Sequence, residues 1–146
     1  MRQWPQVQGL LRSVASGTVL GERGHDVAKR AAGRDGVSFN IHGARISTGG
    51  SVLDSTGFHV CTHSLDQDEA SIAWTGSRFL VAWADWRNGT NTDYDVYAAR
   101  LDGGGVVFDT NGFLVAEAPG YQGSTAVAAS GTNSLIAWTD MRKDSD

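Results

Sequence analysis

Residues 44–87 and 99–142 carry the same text 55 positions apart. Laid over one another without a gap, 17 of 44 positions are identical by direct count. The identities include Ala44/Ala99, Arg45/Arg100, Val52/Val107, Asp54/Asp109, Gly57/Gly112, Phe58/Phe113 and Val60/Val115. They run on through Gln67/Gln122, Gly76/Gly131, Leu80/Leu135, Ala82/Ala137, Trp83/Trp138, Asp85/Asp140 and Arg87/Arg142. A fixed internal period means that one unit cannot bury its own apolar face and must stack on a neighbour.

The residues between these landmarks point to strands. Aromatic and β-branched residues sit in short runs separated by Gly, Asp, Asn, Ser and Thr, and the chain holds 19 glycines, which favours β structure. The net charge of −4 is unevenly spread. Arg2, Arg12, Arg23, Lys29, Arg30 and Arg34 against Glu22, Asp26 and Asp35 leave residues 1–38 at +3, so the remainder stands at −7. An acidic repeat region argues against a nucleic-acid partner, whose footprint is basic. The single cysteine, Cys61, excludes an internal disulfide. Its counterpart is Ala116, so it reads as a small buried position with no basic setting for a reactive thiolate. No apolar run reaches membrane-spanning length, and Met1–Gly17 is a poor secretory signal.

Residues 1–38 lie off the period. They read as an irregular or disordered basic arm, or as the product of a mis-set gene start or a frameshift. The period resumes near Asn40, where Asn40-Ile-His-Gly-Ala-Arg-Ile46 parallels Asp95-Val-Tyr-Ala-Ala-Arg-Leu101. Residues 39–146 are therefore two tandem 55-residue repeats. Each unit predicts four strands. The first is Ala70–Trp74 (Thr125–Ala129 in the next copy), and a turn at Thr75–Arg78 leads to the second, Phe79–Arg87 (Ser134–Arg142). The third is Tyr94–Leu101. The fourth carries Val106–Phe108 and Phe113–Ala116 around Asp109-Thr-Asn-Gly112, a type I turn signal that Asp54-Ser-Thr-Gly57 repeats. In the second strand both alternating sets are apolar: Phe79, Val81 and Trp83 on one face, Leu80, Ala82, Ala84 and Trp86 on the other. Such a strand is covered on both sides. The expected fold class is all-β, with about two four-stranded antiparallel propeller-type blades after the N-terminal arm. Two blades cannot close a propeller, which takes roughly four to eight. Either copies assemble, three chains supplying six blades, or the chain is a piece of a longer protein. The stop at Asp146, inside the loop before an expected third strand, favours the piece.

The run Leu80-Val-Ala-Trp-Ala-Asp-Trp-Arg87, followed by Asp95-Val-Tyr-Ala-Ala-Arg100, resembles a repeat of large exported bacterial proteins that reads roughly LVVWxDxR…DIYxxR, with blades like those of TolB-like and related propellers. The resemblance covers residues 39–146. In the first copy Asn40-Ile-His42 stands where the pattern has Asp-Ile-Tyr. The resemblance implies an extracellular or cell-envelope location and says little about activity, because propellers serve as enzymes, lectins and scaffolds.

Four groups of residues are candidates for chemistry. Trp83, Asp85 and Arg87 share one strand face, as do Trp138, Asp140 and Arg142. The arginine is placed to pair with the carboxylate and lie over the indole, with Asp95 able to join. Recurrence in each copy favours a structural clamp between units over catalysis. His59, Cys61 and His63 alternate along one strand and would offer three zinc-type ligands. Their counterparts Leu114, Ala116 and Ala118 are apolar, which favours ordinary sequence drift. Asp93 and Asp95 follow an Asn/Thr-rich loop that suits calcium, but no Gly-containing calcium loop is present. Trp86 and Tyr94, with Arg87 beside them, could stack on a sugar or a protein partner. Met141 replaces Trp86 in the second copy, which favours burial instead.

No sialidase-type Ser-x-Asp-x-Gly-x-Thr-Trp, Gly-x-Ser-x-Gly elbow or phosphate loop occurs. Asp85 and Asp95 are not singled out as a hydrolase pair, which needs carboxyl groups held about 5–9 Å apart. No cofactor is implied. The expected role is a non-catalytic binding or scaffold module for a protein or glycan ligand or for further blades. The rivals are part of a glycan-processing propeller enzyme and a self-assembling lectin-like module.

Overall fold

In the computed structural model, residues 38–142 are described. The basic arm read over residues 1–38 lies outside them, apart from Ser38. Eight strands follow in order: β1 (Ile41–Gly43), β2 (Phe58–Cys61), β3 (Gln67–Trp74), β4 (Phe79–Asp85), β5 (Asp95–Leu101), β6 (Phe113–Ala116), β7 (Gln122–Ser130) and β8 (Asn133–Asp140). The architecture is all-β, and every strand pairing is antiparallel. A central four-stranded sheet, β3-β4-β5-β6, is flanked by two two-stranded sheets, β1-β2 and β7-β8. Among the described residues no helix is long and apolar enough to cross a membrane.

The double-sided apolar pattern of β4 decides the packing. All seven of its residues are buried. Its odd face, Phe79, Val81 and Trp83, continues across β5 in Tyr97, Ala99 and Leu101, and packs on Ile41, Val60 and Cys61 of the first sheet. Its even face, Leu80 and Ala82 with Ala98, packs on Val127 and Ile136 of the last sheet. Each large aliphatic or aromatic side chain so covered contributes about 1.5–3 kcal/mol. The flanking sheets therefore sit on opposite faces of the central one.

Main-chain bonds repeat the same links along the stack. Gln67 N donates to Phe39 O (3.0 Å) and Gln122 N to Tyr94 O (2.8 Å). Trp86 N donates to Asp66 O and Met141 N to Tyr121 O, each at 2.8 Å.

Several strand limits differ from the sequence expectation. β3 and β7 begin three residues early, at Gln67 and Gln122, because each carries a β-bulge. Pairing skips from Asp68–Ala84 to Ser71–Ala82 in one sheet and from Gly123–Thr139 to Ala126–Ala137 in the other. Glu69 (φ 54°) and Ser124 (φ 51°) take left-handed backbone there, an arrangement that alternation alone does not reveal. β4 and β8 stop at Asp85 and Asp140 instead of running to Arg87 and Arg142. The chain turns as Arg87 N donates to Asp85 Oδ1 (2.9 Å) and Arg142 N to Asp140 Oδ1 (3.0 Å). Val106–Phe108 contributes only a bridge from Val107 to Leu101, outside β6.

Candidate functional site

The end of β4 gathers a buried polar cluster. Asp85 is fully buried. Its Oδ2 accepts from Trp83 Nε1 (2.8 Å) and Arg87 Nη2 (2.6 Å), and its Oδ1 from Arg87 Nε (2.9 Å). A fork-on-carboxylate pair of this kind is charge-assisted and orients the guanidinium. That guanidinium lies 3.8 Å over the ring of Tyr97, not over the Trp83 indole as the residue spacing suggested. The indole is turned so that its N–H meets the carboxylate, and Tyr97, its direct partner across β4 and β5, supplies the ring. Arg87 Nη2 also donates to Asn111 O (2.7 Å) and approaches Cys61 Sγ (3.6 Å). One arginine thus ties β4, β5, the turn before β6 and β2 together.

The second copy repeats the arginine–carboxylate pair in the open, but not the tryptophan bond, Trp138 Nε1 being buried without a hydrogen-bond partner among the described residues. Arg142 Nε donates to Asp140 Oδ2 (2.9 Å), and its Nη2 bonds the same oxygen. Side-chain exposure is 53% for Arg142 and 24% for Asp140, against 14% for Arg87 and 0% for Asp85. Arg142 holds the Asp140 carboxyl well below the usual carboxylate range through side-chain and main-chain hydrogen bonds.

Asp95 takes other partners than the arginine. It sits directly across from Asp85, yet its Oδ2 accepts from Thr92 Oγ1 (2.8 Å) and Asn88 Nδ2 (3.5 Å). Burial pushes its carboxyl up, with the Thr92 hydroxyl opposing. Asp93 is spent locally, its Oδ1 accepting from Tyr94 N (2.9 Å).

His59, Cys61 and His63 are not brought together. Pairing of β1 with β2 passes over Val60, from Ile41–Cys61 to His42–His59, and this bulge ends the simple alternation. His59 Nδ1 meets His42 Nε2 instead, at 3.2 Å. Cys61 is 1% exposed, and burial raises its thiol pKa above the ordinary value despite Arg87 nearby. Among the described residues no group of three or more His, Cys, Asp or Glu is placed to hold a metal ion.

The loop aromatics form a partly exposed chain. Trp86 and Tyr94 meet edge to face at 5.0 Å, and Tyr94 meets Tyr121 at 5.9 Å. Trp86 also lies against the turn at Gly89, where an added Cβ would come 2.0 Å from the indole. Burial drives the Tyr94 phenol far above its ordinary value, helped by Asp68 and Asp66. It raises Tyr121 to about 12, helped by the hydrogen bond to Glu69. Glu69 in turn accepts from Ser124 N (2.6 Å) and from Tyr121 Oη, so the two bulges are linked across adjacent sheets.

Sequence reasoning missed a pair of staples. Arg45 donates to Asp54 through N (2.8 Å), Nε (2.9 Å) and Nη2 (2.8 Å). Arg100 does the same to Asp109 at 3.0, 2.7 and 2.7 Å. All four residues are identities of the 55-residue overlay, and their shared nine-residue separation was the available signal. Tyr97, Asn111, Glu69 and Tyr121 had no such signal. Comparison with known proteins finds no matching family model, no matching curated protein and no matching solved structure.

Proposed function

We propose that this chain is a non-catalytic β-propeller repeat segment that presents loops to a protein or glycan partner at or beyond the cell envelope. The observation that carries the reading is the central sheet, covered on both faces by other small antiparallel sheets. Small antiparallel sheets stacked face on face are what neighbouring propeller blades would present, which supports the reading. The exported-protein resemblance of Leu80–Arg100 supports the location.

The binding role follows from how the polar residues are used. Asp54, Asp85, Asp109 and Asp140 are each held by an arginine. Arg87 is turned inward onto Asp85, Asn111 and Tyr97 and is poorly placed to meet a ligand. Contact with a partner falls to Trp86 and Tyr94, extended by Tyr121. Aromatic rings with a polar tip suit the apolar faces of sugars. The test is a glycan array followed by calorimetry on the best hit. Trp86→Ala is expected to weaken binding at least about tenfold, the equivalent of 1.4 kcal/mol, with Trp86→Phe retaining most of it. Absence of any glycan or protein ligand, or binding indifferent to Trp86→Ala, overturns this role. Glycan cleavage by the purified chain transfers the assignment to an enzyme.

A further inference from the structure

His42 on β1 and His59 on β2 face each other in the first sheet. They are direct register partners of the antiparallel pair. His59 Nδ1 and His42 Nε2 lie 3.2 Å apart, and the two rings meet edge to face with centroids 4.4 Å apart. His59 is exposed and His42 half-buried. We propose that these two nitrogens form a two-point clamp for a divalent transition-metal ion of the zinc, nickel or copper type, with water in its remaining positions. The clamp goes beyond the binding role proposed above and does not depend on it.

The spacing fits one ion. Zinc–imidazole bonds are about 2.0–2.1 Å long. Two such bonds to nitrogens 3.2 Å apart enclose an angle of about 100–106°, close to tetrahedral. Loading the site therefore asks for ring rotation and not for strand movement. Imidazole suits all three ions. The backbone beneath the pair is fixed on both sides. Ile41 and Cys61, partners on one side, are 2% and 1% exposed. Gly43 and Phe58 are partners on the other, and a Cβ added at Gly43 would come 2.8 Å from Phe58 Cζ. Each ring ligates as the neutral form, its proton on the far nitrogen, Nε2 of His59 and Nδ1 of His42. An N–H donor in that place is the usual outer arrangement of a ligating histidine.

The repeat supplies an independent observation. At the offset of 55 residues His42 corresponds to Tyr97 and His59 to Leu114. Tyr97 and Leu114 are themselves direct partners across β5 and β6. The same facing pair is thus aromatic and aliphatic in one copy and two imidazoles in the other, and the chain holds only 4 histidines. Two imidazoles gain nothing in apolar packing over tyrosine and leucine. What they add is a pair of nitrogen donors at metal-ligand spacing. Cys61 lies in the buried core and supplies no third ligand. With two protein ligands the site is open and its ion exchangeable, unlike the closed four-ligand centres that hold structural zinc.

The experiment is calorimetric titration of the full chain with Zn²⁺, Ni²⁺ and Cu²⁺ in turn. One ion per chain is expected, copper bound more tightly than nickel or zinc. Affinity is expected to fall as pH drops through about 6.5, because a protonated imidazole does not ligate. His42→Gln and His59→Gln are each expected to weaken Zn²⁺ binding at least about tenfold, since loss of an outer partner alone costs about 10–100-fold. His59 is exposed, so His59→Gln is expected to keep the parent's urea midpoint in the absence of metal. His63→Gln is expected to leave the affinity unchanged. Ring-nitrogen magnetic resonance of the parent with Zn²⁺ is expected to show His59 Nδ1 and His42 Nε2 as the bound atoms, a readout that needs no variant. Absence of one-to-one binding, parent-like affinity in either His42→Gln or His59→Gln, a loss in His63→Gln as large as theirs, or zinc held at other nitrogens overturns the inference.

Discussion

Asp85 and Asp140 are the same residue of the repeat in two settings, one buried and bonded by Trp83 N–H and one exposed without that bond, and removing each carboxylate measures the difference. Asp85→Ala strands the buried Trp83 N–H, whose bond to Asp85 measures 2.8 Å, at a cost of about 1–3 kcal/mol. It also leaves the Arg87 guanidinium, 14% exposed, without its counter-charge. Breaking a buried pair from one side costs about 3–5 kcal/mol. Asn111 O and the Tyr97 ring still hold that cation, so the two losses do not simply add. We expect a total of about 3–5 kcal/mol, a large share of the roughly 5–15 kcal/mol typical of a folded domain. Asp140→Ala removes an exposed, solvent-screened pair and is expected to shift the unfolding midpoint little. Urea unfolding followed by tryptophan fluorescence reads both. With a slope of about 1–3 kcal/mol per molar, the Asp85→Ala midpoint should fall by about 1–5 M and the Asp140→Ala midpoint hardly at all. Equal losses within about 0.5 kcal/mol would refute burial as the deciding factor. Full stability of Asp85→Asn, which keeps an acceptor for Trp83 but no charge, would refute the ion pair as the source.

Gly112 has φ 76°, and a Cβ there would lie 2.4 Å from Trp83 Cη2. Gly112→Ala is expected to lower the urea midpoint by the equivalent of about 1–3 kcal/mol, while Gly131→Ala, also at positive φ (61°) but with nothing near its Cβ, should lose less; equal effects count against the Trp83 contact. The acid limb of stability should reflect the Arg–Asp staples. Arg45 holds Asp54 at about 2, and Arg100 lowers Asp109 likewise. A folded-state pKa below the unfolded value of about 3.9 gives stability that is present above that value and lost as pH falls through the folded one. The melting temperature is thus expected to fall from about pH 4 toward pH 2, and less steeply in Asp54→Asn; an unchanged slope in that variant would remove the staple from the explanation.

Much of the strand order was readable from residues alone. The strands end at Gly, Asp and Asn turns, and the turn at Asp109–Gly112 closes with Gly112 N donating to Asp109 O at 2.8 Å. These are local signals, set by each residue and its next few neighbours. The Arg45–Asp54 and Arg100–Asp109 staples were legible in the same way, through a separation shared by both copies, and went unread. The bulges at Glu69 and Ser124 were not legible, because each is fixed by bonds between sheets: Glu69 accepts from Ser124 N, and the Thr125 hydroxyl lies 2.9 Å from Glu69 O.

The amino-acid order alone determined that this chain makes short antiparallel strands with two apolar faces. That follows from side-chain alternation and turn chemistry, which act between near neighbours. Only the tertiary structure decided that Arg87 lies on Tyr97 and reaches Asn111 O and Cys61 Sγ, and that Asp85 is dry while Asp140 is wet. Those outcomes depend on cross-strand register and on which sheet covers which face. Identical residues 55 positions apart therefore meet different surroundings.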